Sequence, residues 1–117
     1  MEPSEQTAPS IRMKYSKDAG EYTFLVTRDV ELYLTRELHE AGVLPLHELR
    51  ETAAVAGDVL LTIGGMSSVI TIVDAIRRVL GATPGKRIHI TLANNAEIDA
   101  TNYSRRDLEK LIERLKD

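Results

Sequence analysis

The sequence predicts an α+β domain whose helices pack on one face of a small mixed sheet, in the order β-α-(β)-α-α-β-β-α. Two patterns support this fold class: strand-like alternation at 21–27 and 86–102, and helical apolar stripes at 66–81 and 103–117. With 117 residues, of which 43% are hydrophobic, the chain fits one domain with an aliphatic core. Residues 1–12 are polar and carry two prolines, which predicts a flexible leader before a single domain at 13–117.

The first half of the domain reads as a strand, a helix and a short extended piece. "EYTFLVT" (21–27) is rich in β-branched and aromatic residues and predicts a strand. "RDVELYLTRELHEAG" (28–42) shows both alternation and helical spacing, but its length and the stop signal at Gly42 favour a helix. "VLPLHELRE" (43–51) contains Pro45, which predicts an edge strand or an extended connection.

A long apolar region follows. "TAAVAGDVLLTI" (52–63) is small and apolar and is interpreted as a helix, and "MSSVITIVDAIRRVLG" (66–81) carries a clear amphipathic stripe. Gly64 and Gly65 then mark a break between two buried helical pieces. Residues 59–73 carry no charge, but this run is shorter than the roughly 20 residues of a membrane-spanning helix. We therefore expect buried core and no membrane partner.

The last third predicts a hairpin and a helix. In "KRIHITLANNAEIDATN" (86–102), apolar residues alternate with polar ones on either side of Asn94-Asn95, a pair that suits a turn with positive φ. In "YSRRDLEKLIERLKD" (103–117), Ser104 is a good N-cap and the leucines follow helical spacing. No internal sequence repeat is visible.

Composition excludes several kinds of site. The net charge is −3 and the isoelectric point is about 5.6, which disfavours a dedicated nucleic-acid binder. There is no cysteine, and therefore no disulfide, thiolate nucleophile or cysteine-based zinc site. The N-terminus lacks the basic and apolar blocks of a signal peptide, so we expect a cytoplasmic protein.

Two segments are candidate binding sites. Gly64, Gly65, Ser67 and Ser68 precede a helix, where backbone amides can bind an anion, although no phosphate-loop lysine follows and close packing is the more common role of such glycines. Basic residues around the turn between the long helix and the hairpin form a second candidate, a patch for an acidic partner or nucleic acid. Its members are Arg77, Arg78, Lys86 and Arg87.

Catalytic and metal sites are not predicted. His39, His47 and His89 form no short-spaced metal-binding pair. The polar residues Asp99, Thr101 and Asn102 after the hairpin suit turns and helix caps better than acid–base chemistry. We expect no enzyme activity, no metal and no cofactor.

The order of "GDVLLTIGGMSSVITIVDAIRRVLG", "KRIHITLANNAEIDATN" and "SRRDLEKLIERL" resembles a small bacterial family, the effector-associated constant component domain. The resemblance covers roughly residues 52–116 and includes Ile98, Asp99 and Ala100, which match the end of the family's hairpin. It implies a non-catalytic adaptor that recruits effectors in bacterial conflict and immunity systems. It implies no catalytic residues.

The leading hypothesis is therefore an adaptor that presents a surface, for example a sheet edge or the hairpin, to an effector or a sensor protein. A sensor of a small anionic ligand or nucleotide is one alternative, and a nucleic-acid-binding module is another. A homo-oligomer stays open.

Overall fold

A computed structural model of the chain describes residues 10–43, 47–50 and 59–116, and their architecture is α+β, as predicted. The elements, in chain order, are β1 (Ile11–Ser16), β2 (Glu21–Val26), α1 (Arg28–Glu40), β3 (His47–Arg50), β4 (Val59–Gly64), α2 (Val69–Ala82), β5 (Ile88–Thr91), β6 (Glu97–Asp99) and α3 (Arg105–Arg114).

The described strands form one mixed sheet in the order β3-β4-β2-β1-β5-β6. Strands β1 and β5, which are neighbours in the interior of the sheet, are parallel, with Ile11 opposite Ile88. Every other pair is antiparallel. Each sequential pair, β1-β2, β3-β4 and β5-β6, is an adjacent antiparallel pair followed by a helix. The described elements thus form three successive ββα units, although the sequence shows no matching repeat.

Two parts of the predicted element order are wrong. Strand β1 begins at Ile11, inside the predicted 1–12 leader, because Ile11 and Met13 alternate with two charged residues and are buried in the core. Residues 59–63, predicted as helix, form strand β4, which lies between β3 and β2. The rest of the predicted helix at 52–58 lies outside the described residues.

All three helices pack on one face of the sheet, as predicted. Helix α2 lies between α1 and α3 and contacts both. In β2, Tyr22, Phe24 and Val26 are fully buried beneath them, whereas Thr23 and Leu25 on the other face are only half-buried. This single aliphatic core takes residues from all three helices and from every strand whose side chains are described except β6, whose Ile98 packs against its margin.

The turn after α1, the hairpin turn and the cap of α3 are present as predicted, whereas α1 has Thr27 at its N-cap and Asp29 in its first turn. Gly42, past the end of α1, has φ of 84°, and Asn95 in the hairpin turn has φ of 70°. The Ser104 Oγ accepts a hydrogen bond of 3.1 Å from the amide of Asp107 and caps α3. Leu108, Ile112 and their helical neighbours face the core as the spacing predicted.

The side-chain hydroxyl of Tyr22 lies within this core. It is buried and has no hydrogen-bond partner among the described residues. Burial raises the pKa of Tyr22 above its ordinary 10.0, and the nearby Tyr15 and Glu113 raise it further.

We expect Tyr22→Phe to leave the free energy of unfolding unchanged or to raise it by up to about 1 kcal/mol, because it removes an unsatisfied group. Above about pH 10, unfolded Tyr22 loses its proton while the folded residue holds it, so the wild type loses stability there and the variant loses less. Urea unfolding at about pH 8 and pH 10.5 measures this, with Tyr33→Phe on the surface as the control. A Tyr22→Phe variant with a much lower free energy of unfolding than the wild type at both pH values would show that the hydroxyl has a partner.

Candidate functional site

The segment from Gly64 to Ser68 joins a strand to a helix, not two helices as predicted. Gly64 ends β4, and Ser68 caps α2 by accepting a 3.4 Å hydrogen bond from the amide of Thr71. The amide of Gly65 donates to the carbonyl of Gly20 at 2.8 Å, and the amide of Ser67 donates to Gly64 O at 3.1 Å. Three amides around this segment are thus already used inside the protein.

Gly65 packs directly against the turn between β1 and β2. A Cβ at Gly65 would lie 2.6 Å from the carbonyl oxygen of Gly20 and 3.0 Å from Cε1 of Tyr15, whereas a Cβ at Gly64 would meet nothing within 4 Å. The Lys116 Nζ also donates to the carbonyl oxygen of Gly65, and lies 5.7 Å and 5.5 Å from the centroids of the Tyr15 and Tyr22 rings. The segment is a packed junction, and this geometry offers less to an anion than the sequence suggested.

Each of the four predicted basic residues has its own acceptor within the protein. Arg77 Nη1 donates to the neutral Tyr103 O at 3.2 Å. The other three pair with carboxylates: Arg78 Nη1 lies 3.5 Å from Glu37 Oε1, Lys86 pairs with Asp29, and Arg87 pairs with Asp99. These contacts tie α2 and its following turn to α1, to the loop before α3 and to β6. The cations therefore brace the fold, and a carboxylate lies beside each of them except Arg77.

The Lys86 ammonium holds the pKa of the Asp29 carboxyl below its ordinary 3.8 through a hydrogen bond. The contribution of the ionised Asp29 carboxyl to stability is therefore present above about pH 4. It is lost as the pH falls through the lowered pKa of the folded state. Half of the Asp29 side chain is exposed, so screening limits the effect.

We expect Asp29→Asn to lower the free energy of unfolding by about 0.5 kcal/mol near pH 7 and by almost nothing near pH 2.5. Urea unfolding at the two pH values, beside Asp18→Asn as control, measures the difference, and an equal loss at both would contradict it.

The hairpin of β5 and β6 carries a compact charge network on the face of the sheet away from the helices. Arg87 pairs with Asp99, whose other carboxylate oxygen accepts from the Thr101 hydroxyl at 2.6 Å. The His89 Nδ1 lies 2.8 Å from Glu97 Oε1. Each of these two carboxylates thus has a partner within the network. Asn102 is exposed outside the network.

Strand β6 forms one edge of the sheet. Hydrogen bonds of 2.8 Å from Leu92 N to Ala96 O and 3.0 Å from Ala100 N to Ile88 O bracket its pairing with β5. In an antiparallel ladder, alternate residues point their backbone groups to opposite sides, so Glu97 and Asp99 direct N–H and C=O away from β5. No backbone hydrogen bond within the described ranges uses these four groups.

A cleft of about 380 Å³ lies beside this edge, on the helical side, between the hairpin tip and the last turns of α3. Its floor is apolar: Ile98 and Leu92 are half-buried there, and Leu111 is 8% exposed. Ala93, Asn94 and Arg114 form the rim. Within the described ranges, no carboxylate pairs with Arg114, which is exposed.

The sequence did not identify this cleft. The hairpin and α3 were both predicted, and Leu111 was placed on the apolar stripe of the helix, but the gap between Ile98 and Leu111 depends on how α3 crosses the sheet. The sequence signal for the cleft was Arg114. This cation lies near the end of the last helix, and the residue four positions before it is not a carboxylate. A second, smaller groove of about 250 Å³ lies on the open sheet face beside Arg12, Leu25 and Leu60.

In the part of the chain that the structure describes, no group of three or more His, Asp or Glu side chains is arranged to hold a metal ion. His39 lies on α1 and His89 on β5, while the side chain of His47 is outside the description. None of the described helices is long and apolar enough to cross a membrane, and the uncharged run at 59–73 is divided between β4 and α2. The cytoplasmic location stays a prediction.

No family model matches the chain, and comparison with curated proteins and with solved structures gives no match. The resemblance to the effector-associated constant component family therefore stays a prediction that rests on the quoted patterns alone.

Proposed function

We propose that this chain is a non-catalytic adaptor domain that binds a protein partner, an effector or a sensor, in a bacterial conflict or immunity system. The observation that supports it best is the β6 edge, where the backbone groups of Glu97 and Asp99 are unpaired among the described residues. Unpaired edges accept strands from partner proteins, and an adjacent apolar cleft supplies a pocket for side chains.

The two alternative functions receive less support from the geometry. The amides of Gly65 and Ser67 already donate within the chain, which leaves less of the segment for an anion. The basic residues from Arg77 to Arg87 are each engaged by a separate acceptor, a carboxylate in every case except Arg77, which leaves less uncompensated charge for a nucleic acid.

Co-purification with the product of an adjacent gene tests the proposal, because the resemblance implies that adaptor and effector are encoded together. Glu97→Pro removes an outward amide from the edge, and Glu97→Ala is the matched control, since both lose the contact with His89. We expect the wild type and Glu97→Ala to capture the partner and folded Glu97→Pro to capture much less. Capture of no neighbouring product, or equal capture by all three chains, would contradict the proposal.

A further inference from the structure

We infer that the β6 edge and its cleft select an extended partner segment with an apolar residue at its centre and a carboxylate two residues away. This inference rests on the proposed function and gives the partner its chemistry. It follows from the register of β6, from the lining of the cleft and from the charges on either side.

The register fixes which partner residue faces which surface. In an antiparallel pairing, Glu97 and Asp99 would exchange hydrogen bonds with the two partner residues opposite them, because their N–H and C=O groups point outward. The partner residue between these two lies opposite Ile98, so its side chain projects on the helical side of the sheet. There it meets the cleft floor of Ile98, Leu92 and Leu111, which fits a leucine, isoleucine or methionine.

The rim of the cleft supplies the charge preference. Helix α3 runs back from Ser104 toward the hairpin tip, which brings Arg114 beside Asn94. A partner residue two places from the central one, on the hairpin-tip side, projects on the same face and toward Arg114. A carboxylate there would pair with a guanidinium that has no acidic partner in the described ranges.

A second copy of this chain does not fit the same edge. Two β6 strands paired antiparallel about Ile98 would place Glu97 of each copy opposite Asp99 of the other, and like charges directly opposite each other are destabilising. Charged residues on an edge strand are a common defence against such self-pairing. The same carboxylates favour lysine or arginine in the two partner residues that flank the central one.

A designed peptide tests these features. We use a seven-residue segment with a central leucine, a lysine on each side, a glutamate beyond each lysine and a threonine at each end, so that it satisfies both strand directions. We expect saturable binding to the full chain, measured by fluorescence anisotropy. Replacing both glutamates with lysine should weaken binding to the wild type by about tenfold.

Charge reversal on the protein gives the decisive comparison. Arg114→Glu should bind the glutamate peptide about tenfold more weakly and should prefer the lysine version. Arg106→Glu, on the same helix but away from the cleft, is the matched control and should keep the wild-type preference. An unchanged preference in Arg114→Glu would overturn the charge assignment.

Backbone methylation tests strand addition without altering the protein. In an antiparallel pairing, N-methylation of the two lysines blocks the amides that face Glu97 and Asp99 and should abolish binding, whereas N-methylation of the central leucine blocks an amide that faces away. A parallel pairing would reverse these two results. Equal loss with both peptides, or no saturable binding at millimolar concentration, would overturn the inference. If adjacent-gene capture still depends on the edge, the adaptor proposal stands without it. If the peptide binds but no neighbouring product is captured, the adaptor proposal falls.

Discussion

Gly65→Ala is expected to destabilise the protein by about 2–3 kcal/mol, because one added methyl group overpacks a junction made of backbone atoms. The new Cβ would lie 2.6 Å from the Gly20 carbonyl oxygen, which cannot turn aside as a side chain can. Gly20 itself has φ of 66° and donates its amide to Ser16 O at 2.8 Å, so the turn that carries this carbonyl is fixed.

Gly64→Ala is the matched control for this substitution. The neighbouring glycine faces open space, and we expect a change within about 0.5 kcal/mol. Urea unfolding of both variants followed by circular dichroism gives the two free energies of unfolding. Equal stability of the two variants would contradict the assignment of close packing to Gly65 alone.

Phe24→Ala is expected to cost about 3–5 kcal/mol, the largest effect of any substitution discussed. Phe24 is fully buried in β2, with Met13 and Leu61 opposite it on the two neighbouring strands. After Tyr22, it is the largest of the fully buried side chains, so its truncation would leave a large cavity in this otherwise aliphatic core. Such a loss is a large share of the roughly 5–15 kcal/mol that stabilises a typical domain.

Leu25→Ala is the control, since Leu25 is the next residue and points to the opposite face. It is only half-buried, and we expect a loss of about 1 kcal/mol. Thermal and urea unfolding of both variants, with Phe24→Leu to separate lost volume from lost aromatic character, measure the contrast. A Leu25→Ala variant as unstable as Phe24→Ala would mean that the two faces of the sheet are covered equally.

Most elements were predictable where sequence period and end signals agree. Helix α3 has a capping Ser104 and a strict apolar stripe, and its ends fall where these indicate. The hairpin was predictable because Asn95 tolerates positive φ and the flanking residues alternate. Helix α1 was favoured over a strand by its length and by Gly42, although its local alternation allowed both.

Strand β4 was mistaken for helix for a physical reason. A strand in the interior of a sheet can be buried on both faces, and Leu61, Thr62 and Ile63 are all buried in sequence. The apolar run then lacks the alternation that identifies a strand. Strand β1 was missed although Ile11 and Met13 alternate with charged residues, because the polar residues before it led us to predict a leader as far as residue 12.

The candidate site was harder to predict than the fold, because it depends on contacts distant in sequence. The cations from Arg77 to Arg87 cluster along the chain, but their acceptors lie on α1, β6 and the loop before α3. Sequence proximity therefore suggested a binding patch, whereas the structure gives each cation an acceptor within the chain. The cleft between Ile98 and Leu111 arises only when α3 is laid across the hairpin.

The parallel pairing of β1 with β5 makes the first strand depend on the last third of the chain. Ile11 meets Ile88 only after β2, α1 and the second ββα unit have been synthesised, so this contact has high sequence separation, of the kind that slows folding. Until then β1 is an open edge on the nascent chain. Arg12 and Lys14 put two positive charges on that edge, which would discourage premature pairing with other chains. A chain ending before β5 would keep β1 permanently in that state, so the C-terminal hairpin completes the sheet centre as well as supplying its outer edge.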